Sequence, residues 1–189
     1  MMEMNVNDNI KIQTIDSREA KALYQRIEKN KKRLQRWIEW TNHVESEEDL
    51  VRLIRKWTHP DTIEQGYHLG IYVDGKIIGM IGFTDINFFA GSAQLSYWLD
   101  KEHEGKGIMS RSCERMIAFL FGQLPLNRVE IRVATGNVKS CAIPERLGFR
   151  LEGRLRQVER VCGQLLDNDV YGLLKQEYEA SSGKMISKT

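Results

Sequence analysis

Apolar residues along this chain change their spacing from segment to segment, and the changes mark its elements. A short strand-like start at residues 10–15 gives way to a stretch over residues 17–40. There Ala20, Leu23, Tyr24, Ile27, Leu34, Trp37 and Ile38 fall at helical spacings, predicting one or two amphipathic helices. Ser46 precedes Glu47, Glu48 and Asp49, and then Leu50, Val51, Leu53, Ile54 and Trp57. That order predicts an N-cap, an acidic first turn and a second apolar helix face. From Tyr67 the period becomes two: YHLGIYV and IIGMIGFTDI read as strands joined by a tight turn through Asp74-Gly75-Lys76. In the next strand, AQLSYWL, alternation puts Ala93, Leu95, Tyr97 and Leu99 on one face and Gln94, Ser96 and Trp98 on the other.

Helical spacing returns with Met109, Cys113, Met116, Ile117 and Leu120, and residues 122–125 end that helix. RVEIRVA is a strand. Residues 137–147 read as a short helix that Pro144 should bend or tighten, stopped by Gly148-Phe149. RLEGRLRQVERV and DVYGLL are two further strands, connected through residues 162–164, and residues 181–189 read as a disordered tail. Hairpin-paired strands followed by alternating strands and helices imply a mixed sheet with helices on its faces, an α/β or α+β sandwich. Without repeats or low-complexity linkers, one domain over residues 1–180 accounts for the pattern.

Composition narrows the function classes. The chain has 189 residues, 28 Lys and Arg and 26 Asp and Glu, and a net charge of +2 that does not suggest nucleic-acid binding. The basic run KNKKRLQR reads as a solvated helix face. No apolar run approaches the roughly 20 residues that span a bilayer, and MMEMNVNDNIKI lacks the organisation of a secretion signal. Cys113, Cys141 and Cys162 form no C-x-x-C pair, and His43, His59, His68 and His103 have no ligand spacing. The expectation is a cytoplasmic protein with reduced thiols and no metal, membrane or nucleic-acid partner; homo-oligomerisation stays open.

Gly105-Lys106-Gly107 stands between a strand ending at Leu99 and a helix whose stripe begins at Met109. The first N–H groups of a helix lack intrahelical partners, and with the helix dipole they favour an anion. Glycines allow the main chain to approach it. The loop is not a Walker loop, because Gly107 follows Lys106 and Lys101 occupies the upstream glycine position. Ser110 denies it the third glycine of a dinucleotide fingerprint.

This stretch resembles the acetyl-CoA signature of the GNAT superfamily, Q/R-x-x-G-x-G/A, with Glu102, Gly105 and Gly107 at its fixed positions. Further on, GNVKSCAIPERLGF is similar to the N-x-x-S and L-G-F pattern of the RimJ/RimL branch, the ribosomal-protein N-terminal acetyltransferases. The resemblance implies the GNAT fold, in which neighbouring parallel strands splay apart to admit the pantetheine arm of acetyl-CoA. Here those strands would end at Leu99 and Ala134. It also implies cofactor contacts from Trp98, Leu99, Glu104, Gly105, Lys106, Gly107, Ile108, Met109 and Asn137. Glu102 departs from the motif, since an acidic side chain cannot help hold a pyrophosphate.

By the same resemblance Ser140 would donate a proton to the departing thiolate, and Glu159 would be the base, acting through water. Read without it, Asn137 is a good N-cap, Ser140 a first-turn residue and Glu159 a solvated strand residue. Main-chain N–H groups near Trp98 and Leu99 would meet the oxyanion. Trp37 and Trp40, three apart on a helix, would either wall the acceptor site or serve as core or dimer contacts. A covalent acyl-enzyme through His103 with Cys113 or Cys141 is a weaker arrangement, because nothing local lowers a thiol pKa. The acceptor implied is the N-terminal amine of a protein, with a small amine such as a polyamine, amino sugar or antibiotic as the alternative. A catalytically silent acyl-CoA-binding module is the alternative of a different class.

Overall fold

Asp74 and Gly75 take positive φ values of 48° and 74°, as a two-residue turn between twisted strands requires. They fold β3 (Gly66–Val73) onto β4 (Lys76–Asn87). Cys162 and Gly163, with φ of 47° and 77°, do the same between β7 (Arg150–Val161) and β8 (Gln164–Leu174). Between these hairpins lie β5 (Ser92–Leu99) and β6 (Arg128–Ala134), and before them β1 (Glu3–Asn5) and β2 (Ile10–Thr14). The computed structural model describes residues 2–59 and 66–186. Its eight strands form one sheet in the order β1-β2-β3-β4-β5-β6-β8-β7, antiparallel except for the β5–β6 pair.

Alternation along each strand supplies two apolar faces. One face packs with α3 (Ile108–Gln123), α4 (Val138–Arg146) and α5 (Lys175–Ile186), burying Leu95, Ile131 and Tyr171 of the sheet under Cys113, Met116 and Leu120. The other carries α1 (Ala20–Leu34) and α2 (Glu47–Trp57), whose Leu23, Ile27, Leu50 and Ile54 cover Tyr72, Met80 and Trp98. Each fully buried Leu or Ile contributes about 1.5–3 kcal/mol. The mixed sheet with helices on both faces is the architecture expected from the sequence.

Several local expectations are refined. Ser46 and Asp49 form a reciprocal capping box at α2, which accounts for the acidic run. α1 stops at Leu34, so Trp37 falls in a following turn and Trp40 in a 3-10 turn, Glu39–His43; the expected helical spacing of these tryptophans does not exist. β1 and α5 are two further elements that the apolar spacing does not mark. α5 continues through residues 181–186, expected as the start of a disordered tail; residues 187–189 lie outside the described residues. No helix among the described residues is long and apolar enough to cross a membrane.

Candidate active site

β5 and β6 pair only where Ser92, Ala93 and Gln94 lie opposite Arg128, Val129 and Glu130. Beyond that point β5 stays bonded to β4 and β6 to β8, so the two strands diverge and open a wedge between residues 95–99 and 131–134. Backbone groups of a strand alternate sides. The Asp100 N–H donates to the Ile78 carbonyl at 2.8 Å, so Trp98 also faces β4, while Tyr97 and Leu99 direct their N–H groups into the wedge. Of the two residues expected to offer amides, Leu99 does so and Trp98 does not. The Leu99 carbonyl, on the wedge side, accepts from Arg33 Nη2 at 2.6 Å.

A cleft of about 1310 Å³ follows the wedge. Gly105, Gly107, Ile108, Met109 and Asn137 line it from the α3–α4 side, and Trp37, Trp40 and His68 from the α1–α2 side. Gly105 and Gly107 take φ of 75° and 70°. A Cβ on Gly105 would meet nothing within 4 Å, so left-handed backbone, not crowding, explains that glycine. α3 makes its first internal bond from Arg111 N–H to Gly107 at 3.1 Å, leaving the amides of Ile108, Met109 and Ser110 free to meet an anion. Arg111 reaches back to the Lys106 carbonyl at 3.0 Å, and Arg146 donates to Ser110 Oγ at 2.8 Å, so two guanidinium groups flank this terminus. Lys106 itself is exposed and outside the cleft lining.

The acidic departure at Glu102 puts no charge in this cradle. Its carboxylate pairs with Lys29 of α1 at 2.6 Å, and that contact holds it below the usual carboxylate pKa. Glu104 lies in the cleft lining, ion-paired with Arg33 at 2.9 Å and Lys139 at 2.6 Å, so it links α1 to α4. Behind the loop, buried Asp100 accepts from Arg26 at 2.8 Å and Asn30 at 2.9 Å. Burial pushes its carboxyl up, but the hydrogen bonds from Asn30 and the Glu102 N–H and the charge of Arg26 outweigh burial and leave it lowered. This network, which sequence reasoning missed, fastens the loop to α1.

Asn137 caps α4, its Oδ1 accepting from Ser140 N–H at 3.4 Å, and both residues line the cleft. The capping role read from residue type and a place in the cleft therefore coexist. Pro144 has no N–H for the carbonyl four residues earlier, that of Ser140. That carbonyl instead accepts the Tyr97 hydroxyl at 3.1 Å, tying α4 to β5 across the wedge. Burial pushes the Tyr97 pKa well up, keeping this donor protonated. The Ser140 hydroxyl makes no hydrogen bond among the described residues.

Glu159 enters the cleft from β7 because the strand bulges between Leu155 and Glu159, with Gln157 at φ 50°. It is half-buried while the residues before it on β7 are exposed. Asn168 of β8 donates to Glu159 Oε2 at 2.9 Å. On the facing wall, Trp37 packs on Gly136, where an added Cβ would come within 3.1 Å of the indole. Trp40 meets Trp57 edge-on at 5.0 Å, and Trp57 leans on His68 at 5.1 Å. Burial lowers the His68 pKa to about 4, so the imidazole is neutral. The thiols fit no nucleophile: burial pushes both Cys113 and Cys141 up, and His103 sits by Asp100 at 3.6 Å.

Residues 9–150 match the acetyltransferase (GNAT) domain. The chain belongs to the GNAT family. The putative ribosomal N-acetyltransferase YdaF of Bacillus subtilis (strain 168) is 36% identical over 180 residues, covering 95% of this chain and 98% of the relative. The ribosomal-protein-serine acetyltransferase of Escherichia coli (strain K12) is 32% identical over 172 residues, covering 89% and 94%. Among solved structures, RimL, the ribosomal L7/L12 α-N-protein acetyltransferase in complex with coenzyme A, superposes with a TM-score of 0.87 at 25% identity, covering 93% and 99%. This GNAT protein is an acetyl-CoA-dependent N-acetyltransferase, of the RimJ/RimL-like kind. Its wedge, glycine turn and unpaired helix amides fit such a cosubstrate, since amides and cations suit a pyrophosphate and open strand edges suit a pantetheine arm.

Proposed function

We propose that this GNAT enzyme acetylates the N-terminal α-amine of a protein, a ribosomal protein foremost, by direct attack in a ternary complex with acetyl-CoA. The observation that carries the reading is convergence on one cleft. Ser140 from α4 and Glu159 from β7 both line it, and the Leu99 amide opens into the wedge between β5 and β6. The relatives named for ribosomal acetylation cover nearly the whole chain, which supports a protein acceptor.

In this scheme Glu159, through a water molecule, takes a proton from the acceptor ammonium, and the freed amine forms a bond to the thioester carbonyl carbon. The wedge-facing amides of Leu99 and Tyr97 meet the negative oxygen as it develops. Ser140 gives its proton to the sulfur as the carbon–sulfur bond breaks, and the proton shed by the new amide nitrogen returns to the Ser140 oxygen. An α-amine with a pKa near 8 demands less of a base than a lysine near 10.4, so a carboxylate in the cleft is base enough.

With a confirmed peptide acceptor, Ser140→Ala and Glu159→Gln should each lower kcat for free-thiol release by roughly 10- to 100-fold and leave acetyl-CoA binding intact. Unchanged rates in both variants would remove these two residues from the mechanism.

A further inference from the structure

Asn168 is 5% exposed and sits on β8 opposite Ala134, at the end of β6 where the wedge opens. Its two amide atoms have unequal surroundings. Nδ2 donates to Glu159 Oε2 at 2.9 Å, whereas Oδ1 is buried and has no hydrogen-bond partner among the described residues. The orientation is chemically forced, since an ionised carboxylate only accepts and must be met by the N–H side of the amide. A buried carbonyl oxygen without a donor costs about 1–3 kcal/mol, and such orphans are few in native structures. A side chain selected for stability alone would be apolar here, or would have both ends satisfied.

Glu159 needs such a partner because its own strand does not fix it. β7 is an edge strand, and the bulge that aims Glu159 into the cleft interrupts the ladder between Leu155 and Glu159. The neighbouring turn is pinned by Gln157 N–H to Asp167 Oδ1 at 2.9 Å and by Thr135 N–H to the Asp167 carbonyl at 2.9 Å. These contacts hold the backbone of the hairpin against β6 but leave the carboxylate free to rotate. We infer that Asn168 is a positioning residue for acetyl transfer, which orients the Glu159 carboxylate toward the acceptor amine at the expense of its own buried carbonyl oxygen. This rests on Glu159 being the base. The other charged groups of this region are Glu39 and Arg132 in the cleft lining and, on the same hairpin, Asp167, Arg156, Arg160 and the Arg154–Asp169 ion pair; the neutral His68 also lines the cleft. All of them are unchanged in the variants below.

Two substitutions at one position separate positioning from mere structure. Asn168→Leu removes both the donor and the orphan oxygen at similar volume. It should leave the thermal midpoint equal or higher, lower kcat about tenfold as part of a general-base contribution is lost, and leave the KM for acetyl-CoA unchanged. Asn168→Asp keeps the shape but sets a second carboxylate against Glu159, and like charges in contact raise a carboxyl pKa. The acid limb of its kcat/KM profile should therefore move to higher pH by about one unit or more. A lower thermal midpoint for Asn168→Leu with unaltered kcat, or an unmoved acid limb for Asn168→Asp, would overturn the inference. Glu159→Gln measured alongside distinguishes the two levels: if it is as active as the parent, the base assignment fails. If it is impaired while both Asn168 variants behave as the parent, only the positioning role fails.

Discussion

His68 shows how one half-buried side chain couples stability to pH. Burial lowers its pKa to about 4 in the folded protein, against about 6.5 in the unfolded chain. Between those values the unfolded state binds the extra proton, so stability rises with pH across the window from 4 to 6.5 and is fully present above it. A difference of this size corresponds to about 3 kcal/mol. His68→Gln should flatten the pH dependence of urea unfolding between pH 4 and 6.5, and an unaltered slope would show that His68 titrates normally in the fold. Legibility at this scale follows local pattern. Asn137 and Ser140 lie three apart in a recognisable motif, and both line the cleft. Asn168, Arg33 and His68 have no signature, because their relevance depends on strand register and on which helix crosses which strand end. Glu159 is intermediate: the resemblance picks it out, but only the bulge, marked by a positive φ at Gln157, explains how an edge-strand glutamate faces the cleft.

At the scale of elements, the contact between β5 and α4 makes a coupled prediction. Tyr97→Phe leaves the Ser140 carbonyl without its donor and should destabilise the fold by about 1–3 kcal/mol. Adding Pro144→Ala restores a helix N–H for that carbonyl, so the double variant should be more stable than the sum of the single effects, read as a double-mutant cycle in denaturant unfolding. Strict additivity would mean that the two residues do not share the carbonyl. The glycine turn makes another. Gly105 has space for a side chain but sits at φ 75°, where a non-glycine residue costs about 1–2 kcal/mol. Gly105→Ala should weaken coenzyme A binding in calorimetry by several-fold to tenfold as the cradle relaxes toward ordinary dihedrals, with Ser140 and Glu159 chemistry otherwise intact. Parent-like affinity would show that the cosubstrate tolerates another loop shape. The hairpins and the α2 cap were legible because each rests on a few adjacent residues. The end of α1 was not, because Trp37 and Ile38 continue the apolar spacing beyond Leu34 although the chain there turns to wall the cleft. The second strand-to-helix junction illustrates the converse: Pro144 announces an irregular helix, but its consequence, a carbonyl released toward Tyr97, is visible only in the packed structure.

For the whole molecule, the wedge is the organising feature. Seven neighbouring strand pairs build the sheet, and one of them, β5–β6, is parallel and paired over three residues. The resemblance located that opening at the strands ending in Leu99 and Ala134, and the register agrees. Unpaired helix amides and cations gather on the α3–α4 side, and aromatic walls with His68 on the α1–α2 side; in the proposed scheme the acetyl donor and its acceptor reach the wedge from these opposite faces of the sheet. In that scheme acceptor choice is a property of the α1–α2 face and of the β7–β8 hairpin, whose turn is fastened to that face by Cys162 N–H donating to Glu39 at 2.8 Å. The most direct measurement is mass spectrometry of a peptide bearing an N-terminal serine and an internal lysine, incubated with the enzyme, acetyl-CoA, spermidine and an aminoglycoside together. Acetylation of the peptide α-amine, with the lysine and both small amines unmodified, is the predicted result. Acetylation of a small amine or of the lysine in preference to the α-amine, or no transfer at all despite coenzyme A binding, would contradict it.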